Sequence, residues 1–439
     1  MNKSNFVFLV CFAFYLAPNF VTAEDWPHWM GPTRDNRWDA DNIVRRFPVN
    51  GPKQLWSTPV AGGYAGPAVV GDRVYLMDFV TDANVQVSNF QRKEFEGQER
   101  VLCLDANNGK VLWKHSYPVT TSVSYPAGPR CTPVVEGDLV YTLGAEGNLK
   151  CIAASNGEVV WSHDLREEYS TKSALWGYAG HPLIDGDKLI TLVGGEGSHT
   201  VAFDKKTGKE VWRYGNAPEQ GYSPPTIIES AGKRQLILMS PKSISSVDPE
   251  TGKEFWAKDY EATSGSIIMT PLKLDNHLFV GGYANRNLML ELSDDRPGAK
   301  VLFQDKPKLG ISPVNVQPFL EGNLIYGMHQ TGELMAVEIP SGKRLWTTPK
   351  PLADRPVGSG TAFIVQNKDV YFLFCETGEL VIARLTPEGY QELDRAMVIE
   401  PTGDAFGRKV AWYPPAYANG RVYLRNDERC ICLELTGGK

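Results

Sequence analysis

After residue 23 the chain contains no run of the roughly 18 apolar residues that a membrane-crossing helix requires. It carries no block of five or six like charges, which excludes a charged tail or a basic membrane-surface patch. A basic excess is missing too: 45 Lys and Arg stand against 51 Asp and Glu, a formal net charge of −6. A protein that neutralises phosphates needs a basic stripe, so nucleic acid is excluded as a partner. The seven histidines are scattered without metal-ligand spacing. HExxH, GxSxG, GxxxxGK[ST] and a strand-borne GxGxxG are all absent. No 3.6-residue apolar period occurs beyond residue 23, so helices are not expected.

At 439 residues, 42% hydrophobic and 11% aromatic, the chain can fill several ordinary cores or one large repetitive one. Lys3 followed by the apolar run Phe6 to Ala17, with Val21-Thr22-Ala23 before Glu24, reads as a signal peptide over 1–23. The remainder is expected to be exported, to the periplasm or beyond the cell. Cys11 falls inside the apolar run and no cysteine follows Ala23 directly, so no lipid anchor is expected there.

An internal repeat organises everything else. The chain reads VLCLDANNGKVLW, LKCIAASNGEVVW, TVAFDKKTGKEVW, ISSVDPETGKEFW and LMAVEIPSGKRLW, ending at Trp113, Trp161, Trp212, Trp256 and Trp346. Phe303 and Leu393 occupy the tryptophan's place in two further copies, and the period is about 43 to 51 residues. Before each motif lies a strand, turn, strand pattern such as CTPVVEGDLVYTL or QPFLEGNLIYGM. One unit is therefore four short antiparallel strands, A to D. Seven units run from about Gly66 to Ile399, and an eighth begins at Ala411 but stops before its D strand. KQLWSTPV, residues 53–60, is a lone D strand carrying Trp56. Pairing it into the last unit closes a ring, giving an all-β, eight-bladed β-propeller over 53–439 behind an arm at 24–52.

The motif as it stands in VAFDKKTGKEVW resembles the PQQ-type repeat of quinoprotein dehydrogenases, over nearly all of 53–439. The arm DWPHWMGPTRDNRW is similar to the opening of secreted PQQ-like propeller proteins of planctomycetes. Relatives of that kind are labelled after the propeller subunit of the outer-membrane β-barrel assembly machine, a non-catalytic lipoprotein scaffold. The resemblance implies that each tryptophan docks between blades, against the motif's small residue and a peptide near the next copy's glycine. In the dehydrogenases it implies a quinone held with calcium in the funnel, a stacked tryptophan, a catalytic Asp and often a vicinal disulfide. This chain has no adjacent Cys-Cys pair.

Repeated residues are read as architecture. The acid at Asp105, Asp204, Asp248, Glu291, Glu338 and Glu434 recurs around the ring, whereas a catalytic site is needed once; a turn role is expected. Trp56, Trp113, Trp161, Trp212, Trp256 and Trp346 are expected to join blades rather than form a ligand cage. Cys103, Cys151 and Cys432 share the small-residue column with Ala202, Ser246, Ala336 and Ala383. Equivalent positions on stacked sheets lie about 10 Å apart, beyond disulfide reach.

Residues that differ from blade to blade are the candidates. In a propeller the A strands line the central channel, and the D–A and B–C connections rim one face. Tyr64, Arg130, Trp176, Tyr178, His181, Tyr222, Asn315, Gln317, Trp412 and Tyr413 enter those A strands. They form a specific ligand site, or they are polar because water fills the channel. The insertion at 81–100 overhangs that face as a lid, or is a solvated loop. Three functions remain: a monomeric scaffold binding an envelope or extracellular protein or a small ligand; a PQQ- and calcium-dependent dehydrogenase of alcohols or sugars; and a carbohydrate-binding propeller. The first is expected, with neither catalytic residue, metal nor cofactor.

Overall fold

The computed structural model describes residues 25–437 except 86, 88 and 89; the expected signal segment 1–23 lies outside them. Among the described residues the chain forms eight four-stranded antiparallel sheets and one two-stranded hairpin. In sequence order, blades 1 to 7 occupy 68–121, 134–164, 183–214, 226–259, 272–304, 319–348 and 362–397. Blade 8 combines Ala416–Ala418, Arg421–Arg425 and Arg429–Glu434 with the N-terminal strand Gln54–Pro59, whose Trp56 stands opposite Cys432. The eight-bladed ring and its closure by an N-terminal strand are as the repeat requires. No helix among the described residues is long and apolar enough to cross a membrane.

Burial explains the composition of each strand. Inner strands are covered on both faces by neighbouring blades, so they read as continuous apolar runs. Val370–Cys375 (VYFLFC) is buried at all six positions. The outermost strand Glu210–Tyr214 is instead buried only at Trp212.

The repeat motif builds the joints. Trp56, Trp113, Trp161, Trp212 and Trp346 each donate their indole N–H to the residue after the acidic position of the next blade. The acceptors are the carbonyls of Ala106, Ala154, Lys205, Pro249 and Thr386, at 2.8–3.1 Å. Each of the first four rings covers the glycine of that turn: a Cβ on Gly109, Gly157, Gly208 or Gly252 would come within 2.6–2.7 Å of it. These glycines also hold φ between +70° and +81°, so their identity is required twice over. Trp256 departs from the pattern, because its N–H is taken by Gln235 Oε1 of its own blade at 3.1 Å. Leu393 departs as well: it falls in a bulge between Glu392, paired with Ala383, and Asp394, paired with Ile382.

The acidic residues cap turns. Asp204 Oδ1 accepts from the backbone N–H of Lys206 and Thr207 and from the Thr207 hydroxyl, at 3.1, 2.8 and 2.8 Å. Asp105 and Asp248 repeat the two backbone bonds. These bonds, Thr207's first, hold the Asp204 carboxyl below the usual carboxylate range. All six described cysteines are buried free thiols. Cys103, Cys151 and Cys432 lie opposite Trp113, Trp161 and Trp56.

The arm was legible as a segment but not as a plug. Trp26 exchanges both backbone bonds with Val69 of blade 1, and Pro27 accepts from Val135 of blade 2. Arg34 donates to Pro182 O beside blade 3. The chain then crosses to the other side of the ring. Arg37 reaches Leu320 O and Glu321 of blade 6, Trp38 N–H bonds Gln366 O of blade 7, and Val44 N–H bonds Leu435 O beside blade 8. Trp26, Trp29, Met30 and Trp38 are all buried. The arm thus closes the channel, and a water-filled passage through the ring is replaced by a blind funnel.

Candidate functional site

The funnel is a cavity of about 270 Å³ between the arm and the rim of D–A and B–C connections. Trp26, Trp29, Met30 and Asn36 of the arm form its floor. Eleven of its thirty lining residues are Phe, Tyr or Trp, against 11% of the chain, so the wall is aromatic by selection rather than by average composition. Among the described residues, no Asp or Glu lines it and Arg130 is its one charged side chain.

Eight of the ten residues singled out from sequence line this cavity: Tyr64, Arg130, Trp176, His181, Tyr222, Asn315, Gln317 and Trp412. Tyr178 and Tyr413 do not. Tyr178 is 1% exposed, packs over Gly147 and donates its hydroxyl to Val193 O at 3.1 Å. Tyr413 is equally buried, stacked behind Tyr64 with its hydroxyl 3.3 Å from Thr402. Both sit one step off the channel-facing register, a distinction that a connection without strand periodicity hides.

The eight divide by what holds them. Gln317 is committed to architecture: its amide accepts from Thr270 N–H and donates to Thr270 O, at 2.7 and 3.3 Å. Trp412 is a fixed wall. Its indole N–H donates to Glu376 at 2.9 Å, and Glu376 also accepts from Arg408 at 2.8 Å and Thr361 N–H at 3.1 Å. Tyr125 and Phe406 flank it at 5.8 and 6.1 Å. Across the mouth, Trp176 packs against Tyr222 at 5.4 Å and Phe90 at 6.0 Å. Among the described residues the Asn315 side chain reaches only Thr361 Oγ1, at 3.4 Å.

Arg130 is held without a carboxylate. Its guanidinium donates to the carbonyls of Ser124, Tyr125 and Gly128 and lies 5.2 Å over the Tyr64 ring. Burial lowers its pKa, while burial raises that of Tyr64. His181 stacks flat on Trp29 and accepts from Thr132 N–H through Nδ1 at 3.1 Å. Burial, then the Arg34 guanidinium, holds it well below the usual histidine range. The ring is neutral, and the Nδ1 acceptor role places its proton on Nε2.

The insertion at 81–100 does reach the funnel face. Phe90 lines the mouth, and Arg92 pins the loop to Ser122 O and Ser173 O at 3.0 and 2.9 Å. Sequence reasoning missed Phe90, Tyr125 and Phe406, which lie on connections with no repeat to align. It also missed the arm's floor, although three tryptophans within DWPHWMGPTRDNRW were a signal of burial.

The lining does not fit a calcium-held quinone tricarboxylate. Calcium takes six to eight oxygen ligands, mostly carboxylate. The nearby carboxylates Glu376, Glu99 and Glu146 are committed, to Trp412 and Arg408, to Tyr117 and Ala145 N–H, and to Arg166, Ser173 and Ser122 N–H. Among the described residues no group of three or more His, Cys, Asp or Glu could hold a metal ion.

Comparison with known proteins gives the same architecture. A family profile described as outer membrane protein assembly factor BamB matches residues 97–348 and 240–439. The structure of BamB from Moraxella catarrhalis superposes with a TM-score of 0.56 at 16% identity, covering 88% of this chain and 98% of that one. Quinohemoprotein alcohol dehydrogenase from Comamonas testosteroni gives 0.58 at 15% identity, covering 95% and 81%. Quinohemoprotein alcohol dehydrogenase ADHIIG from Pseudomonas putida HK5 gives 0.58 at 14%, with the same coverage. At these identities the likeness is one of fold. The sequence matches none of the curated proteins.

Proposed function

The chain belongs to the family described as outer membrane protein assembly factor BamB, and from that premise we propose an exported, non-catalytic β-propeller that binds a ligand or a segment of a protein partner in its blind funnel. The observation that carries this reading is the funnel's chemistry. It is a closed-ended pocket with an aromatic wall, a few unpaired polar groups, and no Asp, Glu, Lys or Cys among its described lining. Export follows from the signal pattern at 1–23. The dehydrogenase alternative shares the fold but needs a calcium-ligating carboxylate that the lining lacks. Carbohydrate binding, the remaining alternative, draws support from the paired walls around Trp176 and Trp412.

Two measurements on the purified chain test the proposal. With pyrroloquinoline quinone and calcium, neither a thermal shift nor dye-linked alcohol oxidation is expected; quinone-dependent turnover would overturn the non-catalytic reading. From envelope extract, one species should be retained by the wild-type chain and lost with Trp176→Ala/Trp412→Ala. Retention that ignores those substitutions would remove the funnel from the function.

A further inference from the structure

The polar groups of the funnel are one-sided. Thr132 and His181 are 2% and 7% exposed, and both line the cavity. The Thr132 hydroxyl makes no hydrogen bond among the described residues, and neither does His181 Nε2, whose ring is fixed by the Thr132 N–H on Nδ1 and by Trp29 beneath it. A donor fixed in one tautomer, more than nine-tenths buried and unused, is costly unless something accepts from it. Two residues before Thr132 stands Arg130, whose three carbonyl partners leave Nε–H and one further N–H unused. Behind His181 lies a second guanidinium, Arg34, bonded to Pro182 O. Neither arginine forms an ion pair among the described residues, and no carboxylate lines the cavity. Donors and positive charge therefore converge on one side of the pocket, while Trp176, Trp412 and their aromatic neighbours enclose the rest.

We infer that the funnel takes an anionic ligand with a flat apolar body, its carboxylate or other singly charged oxyanion received by Arg130, Thr132 and His181. The inference rests on the funnel being a ligand site, as proposed above. An oxyanion supplies acceptors to all three donors and gives the Arg130 guanidinium a direct partner, where Glu146 and Glu99 act on it only from a distance. The flat body fits walls that offer ring faces and edges rather than hydrogen bonds. A cation is disfavoured by the two guanidinium groups, and calcium has no part in the site.

The test compares 2-naphthoate with its neutral isostere 2-naphthamide and with the cation 2-naphthylmethylammonium, by calorimetry and tryptophan fluorescence on the purified chain. Naphthoate should bind about tenfold or more tighter than naphthamide, the size expected for charge-assisted hydrogen bonds. Arg130→Gln should abolish the difference. Arg130 also clamps the 124–128 connection, so Thr132→Val serves as the second variant. Its lost hydroxyl has no partner among the described residues, so it should melt like wild type and still narrow the gap about threefold. Equal binding of acid and amide, or preference for the amine, overturns the inference while leaving a funnel ligand site standing. If none of the three binds at millimolar concentration, the inference fails; the proposed function fails with it only if the Trp176→Ala/Trp412→Ala protein also keeps every envelope partner.

Discussion

The indole of Trp29, on the N-terminal arm, lies 4.5 Å from the imidazole of His181 on the way into blade 3, with 2° between their planes. The contact links a segment outside the repeat to a residue inside the funnel, so the floor of the site and the stability of the arm are one property. Trp29→Ala should cost about 3–5 kcal/mol, the usual range for a buried tryptophan. It should also weaken any funnel ligand, because His181 loses the surface that orients it. Thermal unfolding and ligand titration on the same variant check both. A drop in stability with unchanged binding would separate the arm from the site.

The interblade joints offer a comparison between two glycines with the same backbone need. Gly186 holds φ +58° and a Cβ there would meet nothing within 4 Å, whereas Gly252 holds φ +70° with the Trp212 ring at 2.7 Å from the same position. Gly186→Ala should cost only the left-handed strain, about 1 kcal/mol. Gly252→Ala must also displace Trp212, so it should cost several kcal/mol in all, in the range of core overpacking added to that strain. Urea unfolding midpoints give the ratio. Equal losses would mean that Trp212 moves aside freely and that its bond to Pro249 O is dispensable.

The sequence disclosed whatever repeats. An acid, a Gly and a Trp at near-fixed spacing carry turn, clearance and joint together, and five copies ending in Trp with two variant ones left few topologies to choose among. What failed was local. Leu393 was aligned by spacing, but a bulge shifted by one residue takes it off the position opposite Ala383. Trp256 kept its place and lost its partner, because the next blade turns through SDDRPGAK rather than a TGK-like turn and Gln235 offers an acceptor nearer home. Tyr178 and Tyr413 show the limit for the site itself. Connections between blades have no period, so which face a residue presents depends on contacts from elsewhere in the chain. The plug was hidden for the same reason: its bonds run to residues up to about 390 positions away, such as Val44 to Leu435.

Acid should unfold the protein from a pH set by its buried histidines. Burial is the main cause that lowers His28, His199 and His329 to about 4 and His181 further below its usual range. Each stays neutral in the fold while the unfolded chain takes up a proton near pH 6.5, so stability is complete above that value and is lost as pH falls toward about 4. The loss is about 1.4 kcal/mol per pH unit for each histidine over that window. Glu99 acts in the opposite sense, since burial raises its pKa and its protonation favours the fold. Urea midpoints should therefore fall between about pH 7 and pH 5, and His329→Gln should flatten the slope while keeping an acceptor for Ser312 N–H. A level profile over that interval would contradict the buried neutral state.

Phe406 sets function against stability at the funnel mouth. It lies with Gly407 at the tip of the hairpin Gly403–Ala405 and Arg408–Val410, and both tip residues have positive φ, +51° and +75°. A two-residue turn of that kind prefers Asn, Asp or Gly, since a bulky side chain there is strained. Yet Phe406 is 46% exposed, so burial does not repay the strain; its visible contacts are the edge of Trp412 and the Arg408 guanidinium at 5.5 Å. Phe90, at φ +69° and 58% exposed, repeats the pattern on the other side of the mouth. Phe406→Asn should raise stability by about 0.5–1 kcal/mol, as a residue suited to the left-handed region relieves the turn. The same change should weaken funnel binding several-fold, because the apolar rim that shields the ligand from water loses one side. Paired urea and binding titrations decide it. A loss of stability would show that the phenyl ring is retained for packing, and the rim would then owe nothing to a ligand.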